Sequence, residues 1–330
     1  MQKTDLIIAT LALILGACGA WLVASGGHRF DLIDCPNERS SHSEPTPKGG
    51  GIGLLAAFII ASLWLEVQPV FWISIAILGL LSLFVDRFHF SPKLRLTFQF
   101  SAALVVLAGI FQAQILEMHL ILLSIPLGIF IVGTANFYNF MDGINGMAAI
   151  TGIVGFGLLA FYAFSFESSM SFAALSVCLG FSCLGFLPFN MPNAKVFMGD
   201  VGSVLLGFVF ASLVVLLSKS FLDFFCLASF LFPFYADELT TMAVRLKDGE
   251  NLLKPHRRHL YQLLANEHNI PHWKISTGYG VWQLVVGLSI LLVKSFGIIA
   301  VLSVLTFYFS SFVMVSIAVR RRLAASKQAL

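Results

Sequence analysis

Long apolar runs separated by short polar stretches set the pattern of this chain. A hydrocarbon core of about 30 Å takes about 20 helical residues. Eleven runs qualify, near residues 6–25, 50–66, 69–85, 96–115, 119–138, 146–165, 170–189, 202–218, 221–242, 278–295 and 297–319. The pattern predicts an all-α polytopic membrane protein of about eleven transmembrane helices, with residues 1–330 forming a single domain. An odd number of spans puts the termini on opposite sides, and the side rich in basic residues is cytoplasmic. Of the 20 Lys and Arg residues, only Lys3, Lys219 and Lys294 fall opposite the rest. The N-terminus is therefore expected outside and the C-terminus inside. Leu15-Gly16-Ala17-Cys18 has the form of a lipoprotein cleavage box, but the apolar run continues through Ala20-Trp21-Leu22-Val23-Ala24, which favours a span.

Composition sharpens this picture. Of 330 residues 58% are hydrophobic and 11% charged, against roughly 25% charged in a soluble domain. A net charge of +3 is too small to imply nucleic acid. The five cysteines are scattered without CxxC spacing, so neither a disulfide framework nor a zinc site is expected.

Polar residues that a mere connection would not need gather in the predicted cytoplasmic loops 26–49, 86–95, 136–146, 190–203 and 243–277. The stretch from Asn190 to Ser203 carries one carboxylate, Asp200, next to an apolar run. An acid at that depth is costly unless partnered and marks a functional site. Ser203 has the place of an N-cap. In the third loop Asn136, Asn139 and Asp142 recur every three residues, so neighbours share a helix face near its negative end. An amide oxygen beside a carboxylate suits a divalent cation such as Mg2+, which takes only one or two carboxylates. An Asx-rich turn would use the same residues.

In the first loop, Lys48-Gly49-Gly50-Gly51 opens a helix. Its N–H groups and the lysine would suit phosphate; alternatively the glycines allow close helix packing. The second loop holds Asp86 at the end of its span, then Lys93. The fifth holds Pro255-His256-Arg257-Arg258-His259-Leu260-Tyr261-Gln262. On a helix begun at Pro255, His256 and His259 share a face, and Arg257 and Arg258 can clamp phosphate bidentately; a basic face against lipid headgroups is the alternative. Asp237 and Glu238 lie inside the preceding apolar run. Together Asp86, Asn139, Asp142, Asp200 and Asp237 offer metal or acid groups, and Lys48, Lys93, Arg257 and Arg258 offer phosphate contacts. Such a set suits phosphoryl transfer, where positioning and charge neutralisation do most of the catalysis.

These loops resemble those of the polyprenyl-phosphate N-acetylhexosamine-1-phosphate transferases, glycosyltransferase family 4. The resemblance runs over about residues 31–262, through Asp34 to His42 with Pro45 to Gly51, Asn136 to Gly143, Phe197 to Ser203, and His256 to Gln262. The last segment is similar to the branch that starts O-antigen and related surface glycans. The resemblance implies transfer of a sugar-1-phosphate from a UDP-N-acetylhexosamine to undecaprenyl phosphate in a bacterial inner membrane, releasing UMP, with Mg2+. It implies that Asp200 and Asn139 hold the metal and that Asp86 and Asp142 are active-site carboxylates. It further implies that Lys48, Lys93 and Asn190 contact substrate and that residues 256–259 contact the sugar nucleotide. Membrane lipid is a partner, and a homodimer is compatible with the sequence.

Two positions depart from the family pattern. Val85 precedes Asp86 where relatives have a second aspartate, often assigned as base or nucleophile. A phosphate monoester with a second pKa near 6 is already mostly dianionic at neutral pH, so activity without that base is expected. Asn145 stands where many relatives carry a carboxylate. The rival from another class is a transporter or lipid flippase, which would place acids near mid-membrane in paired half-repeats. A relative that binds nucleotide without turnover is the second.

Overall fold

In hydrocarbon, each backbone N–H and C=O must find its partner within the segment, so apolar runs become helices. The computed structural model describes residues 3–27, 32–36, 40–88, 90–111, 118–165, 169–252, 254 and 256–328, with the side chains of 3, 4, 85–87, 118, 119 and 326–328 outside the description. In order these form α1 (Lys3–Gly26), α2 (Ile52–Trp64), α3 (Pro69–Phe88), α4 (Pro92–Phe111), α5 (Met118–Met141), α6 (Met147–Ser165) and α7 (Met170–Asn190). There follow α8 (Asp200–Leu217), α9 (Phe221–Ala228), α10 (Phe232–Lys247), α11 (Leu260–Asn266), α12 (His272–Val293) and α13 (Ile298–Gln328). The protein is an all-α polytopic membrane protein. Among the described residues, eight helices are long and apolar enough to cross a bilayer.

Of the three predicted spans outside these eight, the 69–85 run keeps a single helix, α3, whose side chains at 85–87 are not described, and the other two take other forms. The 50–66 run yields α2, whose 13 residues reach only about 20 Å. The 221–242 run is broken at a 3-10 turn, Ser229–Leu231, into α9 and α10. Pro233 sits in the first turn of α10, where its missing N–H costs nothing, whereas in a continuous helix it would delete a bond. The Phe230 carbonyl at the break is satisfied by Gln283 Nε2 of α12 at 2.7 Å.

Helix α8 forms the centre. It is buried along almost all its length and packs against α3, α5 and α2. Helix α13 leaves most of its apolar surface outside the bundle, as a lipid-facing helix does. A small antiparallel pair, β1 (Ile33–Asp34) with β2 (Thr46–Pro47), folds the first loop back on itself. From β2 the chain zips onto the stretch before α8: Phe197 N–H donates to Pro47 O (2.7 Å), Gly50 N–H to Phe197 O (3.0 Å) and Gly51 N–H to Met198 O (2.9 Å). The first turns of α2 and α8 therefore lie side by side. A Cβ on Gly51 would come within 2.4 Å of Gly202 Cα, so only glycine allows this approach. The glycines serve packing, and the N–H groups of Gly50 and Gly51 are spent on carbonyls rather than offered to phosphate.

Candidate active site

The first, third, fourth and fifth loops, with residues at the adjoining helix ends, enclose a cavity of about 280 Å³. Asp200, Ser203, Asn139, Asp142, Asn190 and Lys48 all line it, and so do Asp34, Ser40, Ser41 and His42 of the first loop and Gln262 of α11. Asp200 opens α8, and its carboxylate is the meeting point of three elements. Asn139, in the last turn of α5, donates its Nδ2 to Asp200 Oδ1 and to Ser203 Oγ, both at 2.8 Å. Arg95, in the first turn of α4, closes an ion pair with Asp200 Oδ2. Ser203 Oγ donates back to Gly199 O at 3.0 Å; it lies inside the first turn of α8 and is not the N-cap, a place that Gly199 holds.

The other candidate residues sit in different surroundings. Lys93 is exposed and stands off the cavity wall. Arg95, roughly 200° further round the helix, is the cation of α4 that turns inward. Arg95 closes the basic second loop, 86–95, and loop composition alone does not separate it from Lys93. Its signal was the four-residue spacing to Gln99, a polar side chain inside an apolar run, which is buried and accepts from Asn136 Nδ2 at 2.6 Å. Asn190 lines the cavity, but its amide is spent on backbone: Oδ1 accepts from Gly146 N–H (2.6 Å) and Nδ2 donates to Val196 O (2.9 Å). It ties the third loop to the fourth. Asn145 does similar work, donating to Pro192 O at 3.0 Å while its carbonyl accepts from Ser276. Asp86 lies in the last turn of α3, and its side chain is outside the described residues.

The fifth loop departs most from expectation. Pro255 lies outside the described residues; residues 256–258 are irregular, and α11 starts at Leu260 with His259 as N-cap. His259 is 3% exposed and off the cavity wall, held between Asp237 (3.8 Å) and Glu238 (3.3 Å). Burial opposes its charged form, but the adjacent carboxylates of Asp237 and Glu238 outweigh this and hold its pKa above the ordinary histidine value. His256, whose ring lies tilted against it with centroids 4.8 Å apart, is pushed down to about 4 by burial and the His259 charge. Arg258 pairs with Asp248 (2.5 Å) and Glu250, and Arg257 lies 3.8 Å from Glu267. Both guanidiniums pair with acids of their own segment while remaining about one-third exposed. Asp237, grouped by sequence with metal or acid residues, is fully buried and structural. It accepts from Leu260 N–H (2.8 Å), Tyr261 N–H (3.3 Å), Tyr279 Oη (2.7 Å) and Thr241 Oγ1 (3.2 Å).

Among the described residues no group of three His, Cys, Asp or Glu side chains converges as a metal site. The cavity nonetheless presents hard oxygen donors from Asp200 and Asp142, and Asn139 keeps its Oδ1 as an acceptor while Nδ2 binds Asp200. That set fits an ion that takes one or two carboxylates and completes its shell with water and phosphate.

The sequence model of glycosyl transferase family 4 matches residues 68–218. The chain is 31% identical over 253 residues to the undecaprenyl-phosphate alpha-N-acetylglucosaminyl 1-phosphate transferase of Thermotoga maritima, covering 74% of this chain and 76% of that protein. It is 27% identical to the decaprenyl-phosphate N-acetylglucosaminephosphotransferase of Mycobacterium leprae, over 78% of this chain and 76% of that one. Over a shorter stretch, 29% of this chain and 31% of the relative, it is 43% identical to the phospho-N-acetylmuramoyl-pentapeptide-transferase of Staphylococcus saprophyticus.

Proposed function

The chain belongs to glycosyl transferase family 4, the polyprenyl-phosphate N-acetylhexosamine-1-phosphate transferases, and from that membership we propose that it transfers N-acetylhexosamine-1-phosphate from a UDP-sugar to undecaprenyl phosphate. UMP is released, and the product opens a surface-glycan pathway of the O-antigen type. The protein works as a multi-pass protein of a bacterial inner membrane with its cavity toward the cytoplasm. One observation supports this above the others: Asp200 is held by Asn139 of α5 and Arg95 of α4 at the rim of a polar cavity that Lys48 also lines. Asp142 and Asp200 stand at helix ends, which favours an interfacial enzyme over a transporter with acids at mid-membrane.

In this reading an oxygen of the acceptor phosphate bonds to the sugar-bearing phosphorus, and the bond from that phosphorus to the UMP oxygen breaks. Lys48 and the donors of Arg95 not held by Asp200 bring the anionic groups together and neutralise charge that spreads over the transferring phosphoryl group. Asn139 fixes the rotamer of Asp200. Asp200, Asp142 and Asn139 would hold Mg2+, which when bound supplies further charge neutralisation at the diphosphate. The zipped first and fourth loops keep α2 and α8 in register, so the walls of the cavity approach as a unit.

The test is UMP release by purified protein in detergent with undecaprenyl phosphate, across a panel of UDP-N-acetylhexosamines, with and without EDTA. UMP formation that requires both the lipid phosphate and a divalent ion is expected. Binding of UDP-sugar without UMP release from any member of the panel would refute the enzymatic reading.

A further inference from the structure

Helix α11 belongs to the loop expected to recognise the sugar nucleotide, yet its most central side chain, Tyr261, is fully buried and cannot touch substrate. Its hydroxyl donates to the carbonyl of Phe140 at 2.9 Å. That carbonyl is among the last four of α5, which have no partner inside the helix. Beyond Phe140, the same hydroxyl lies against Gly143, where a Cβ would come within 2.2 Å of it. Asp142 is thus bracketed: the residue two before it is capped by Tyr261 and the residue after it packs on Tyr261. Burial, reinforced by the charges of Asp237, Asp142 and Glu238, pushes the phenol pKa up, so the hydroxyl remains a donor at any working pH.

Tyr261 is itself fixed from behind. Asp237 accepts its N–H and that of Leu260, and the His259 ring stacks on it at 5.6 Å and 15°. At the other end of α11, Asn266 Nδ2 donates to Ser41 Oγ of the cavity wall at 3.1 Å. A seven-residue helix is thus anchored to α10, to the end of α5 and to the first loop.

We propose that Tyr261 is a positioning residue for Asp142, closing the C-terminal end of α5 so that this carboxylate is held at the cavity, with α11 and its Asp237 anchor as the strut that keeps the tyrosine in place. The kinetic consequence rests on the transferase reading above; the structural consequence does not.

Hydrogen–deuterium exchange on the full-length protein in detergent tests the strut without substrate. Tyr261→Phe keeps the ring and removes the hydroxyl; it is expected to raise exchange in peptides covering 136–146 by about tenfold, the weight of one buried hydrogen bond, with peptides of α8 unchanged. Gly143→Ala, which pushes the hydroxyl away, is expected to do the same. If the wild type turns over a UDP-sugar, Tyr261→Phe is expected to lower kcat by about tenfold while KM for the UDP-sugar stays within about twofold. In an Asp142→Asn background the same change is expected to cost nothing further, because it acts through that carboxylate. Unchanged exchange at 136–146 in both variants overturns the proposal, as does exchange that rises equally everywhere. A full additional loss in the Asp142→Asn background also overturns it. Should no UDP-sugar be turned over, the transferase reading fails and the exchange result alone decides the strut.

Discussion

Asp200 opens an apolar helix and Asp237 lies inside another apolar run, and the protein holds the two acids in opposite ways. The Asp200 side chain keeps 19% of its surface open, lies on a cavity, and its contacts include the side chains of Arg95 and Asn139. Asp237 is sealed and receives two backbone N–H groups, a phenol and a hydroxyl. A carboxylate that already takes four fixed donors has little to offer a ligand, and its burial is tolerable only because those donors replace water. A carboxylate facing a cavity, with a cation beside it, can exchange partners as substrate arrives. Depth in the membrane marks a costly acid; its donor count tells whether that cost serves folding or chemistry.

The largest expected effect follows directly. Asp200→Asn should lower UMP release by about 10² to 10³, the range for losing one preorganised electrostatic group, while the thermal midpoint in detergent changes little, since the group is partly solvated. A variant that unfolds instead would place Asp200 with Asp237 and erase the contrast. Asp237→Ala should do the reverse. It leaves two N–H groups of α11 and the Tyr279 hydroxyl buried without their acceptor and removes one of the two carboxylates beside His259, costing about 3–5 kcal/mol, visible as a lowered thermal midpoint and a loosened fifth loop. Normal stability with lost turnover would show Asp237 to be part of the chemistry.

What sequence could and could not reveal divides along the same line. Apolar runs located most helices because membrane backbone satisfies itself locally, but the break before Pro233 was not legible, since the 221–242 run is continuously apolar enough to read as one span and proline also sits inside α5 and α7. Asp200, Asn139, Asp142 and Lys48 were also legible, since polar residues beside apolar runs stand out, and the cavity gathers them. Partner choice was not legible. Whether Gly50 and Gly51 face phosphate or the carbonyls of Phe197 and Met198 is decided by a loop almost 150 positions away. Likewise Arg95 rather than Lys93 reaches Asp200 because of how α4 is rotated against α8, which loop composition does not encode.

A smaller effect sharpens the account of the buried node. His259 has a raised pKa in the folded protein, so its stabilisation is complete below the unfolded value near 6.5 and is lost as pH rises through the folded value. His256 runs the other way: with a folded value of about 4, it favours unfolding as pH falls below about 6.5. The thermal midpoint in detergent is expected to peak near pH 6.5. His259→Gln should flatten the alkaline limb and His256→Gln the acid limb. An unaltered profile in His259→Gln would mean that the imidazole is neutral between Asp237 and Glu238.

The smallest effect concerns Val85, beside Asp86 at the end of α3. If an acceptor phosphate with a second pKa near 6 arrives already about nine-tenths dianionic at pH 7, a base adds little to its nucleophilicity. Restoring a carboxylate by Val85→Asp should then change kcat by less than about threefold at pH 7. It should matter more near pH 5.5, where most of the acceptor is monoanionic and a neighbouring acceptor of protons has work to do. A large gain at pH 7 would show that this chain lacks a group its chemistry needs, and would bring the nucleotide-binding, slowly reacting relative forward as the better description. Equal rates at pH 7 with a gain confined to acid would place the driving force in Asp200, Arg95 and Lys48, that is, in positioning and charge rather than in proton removal.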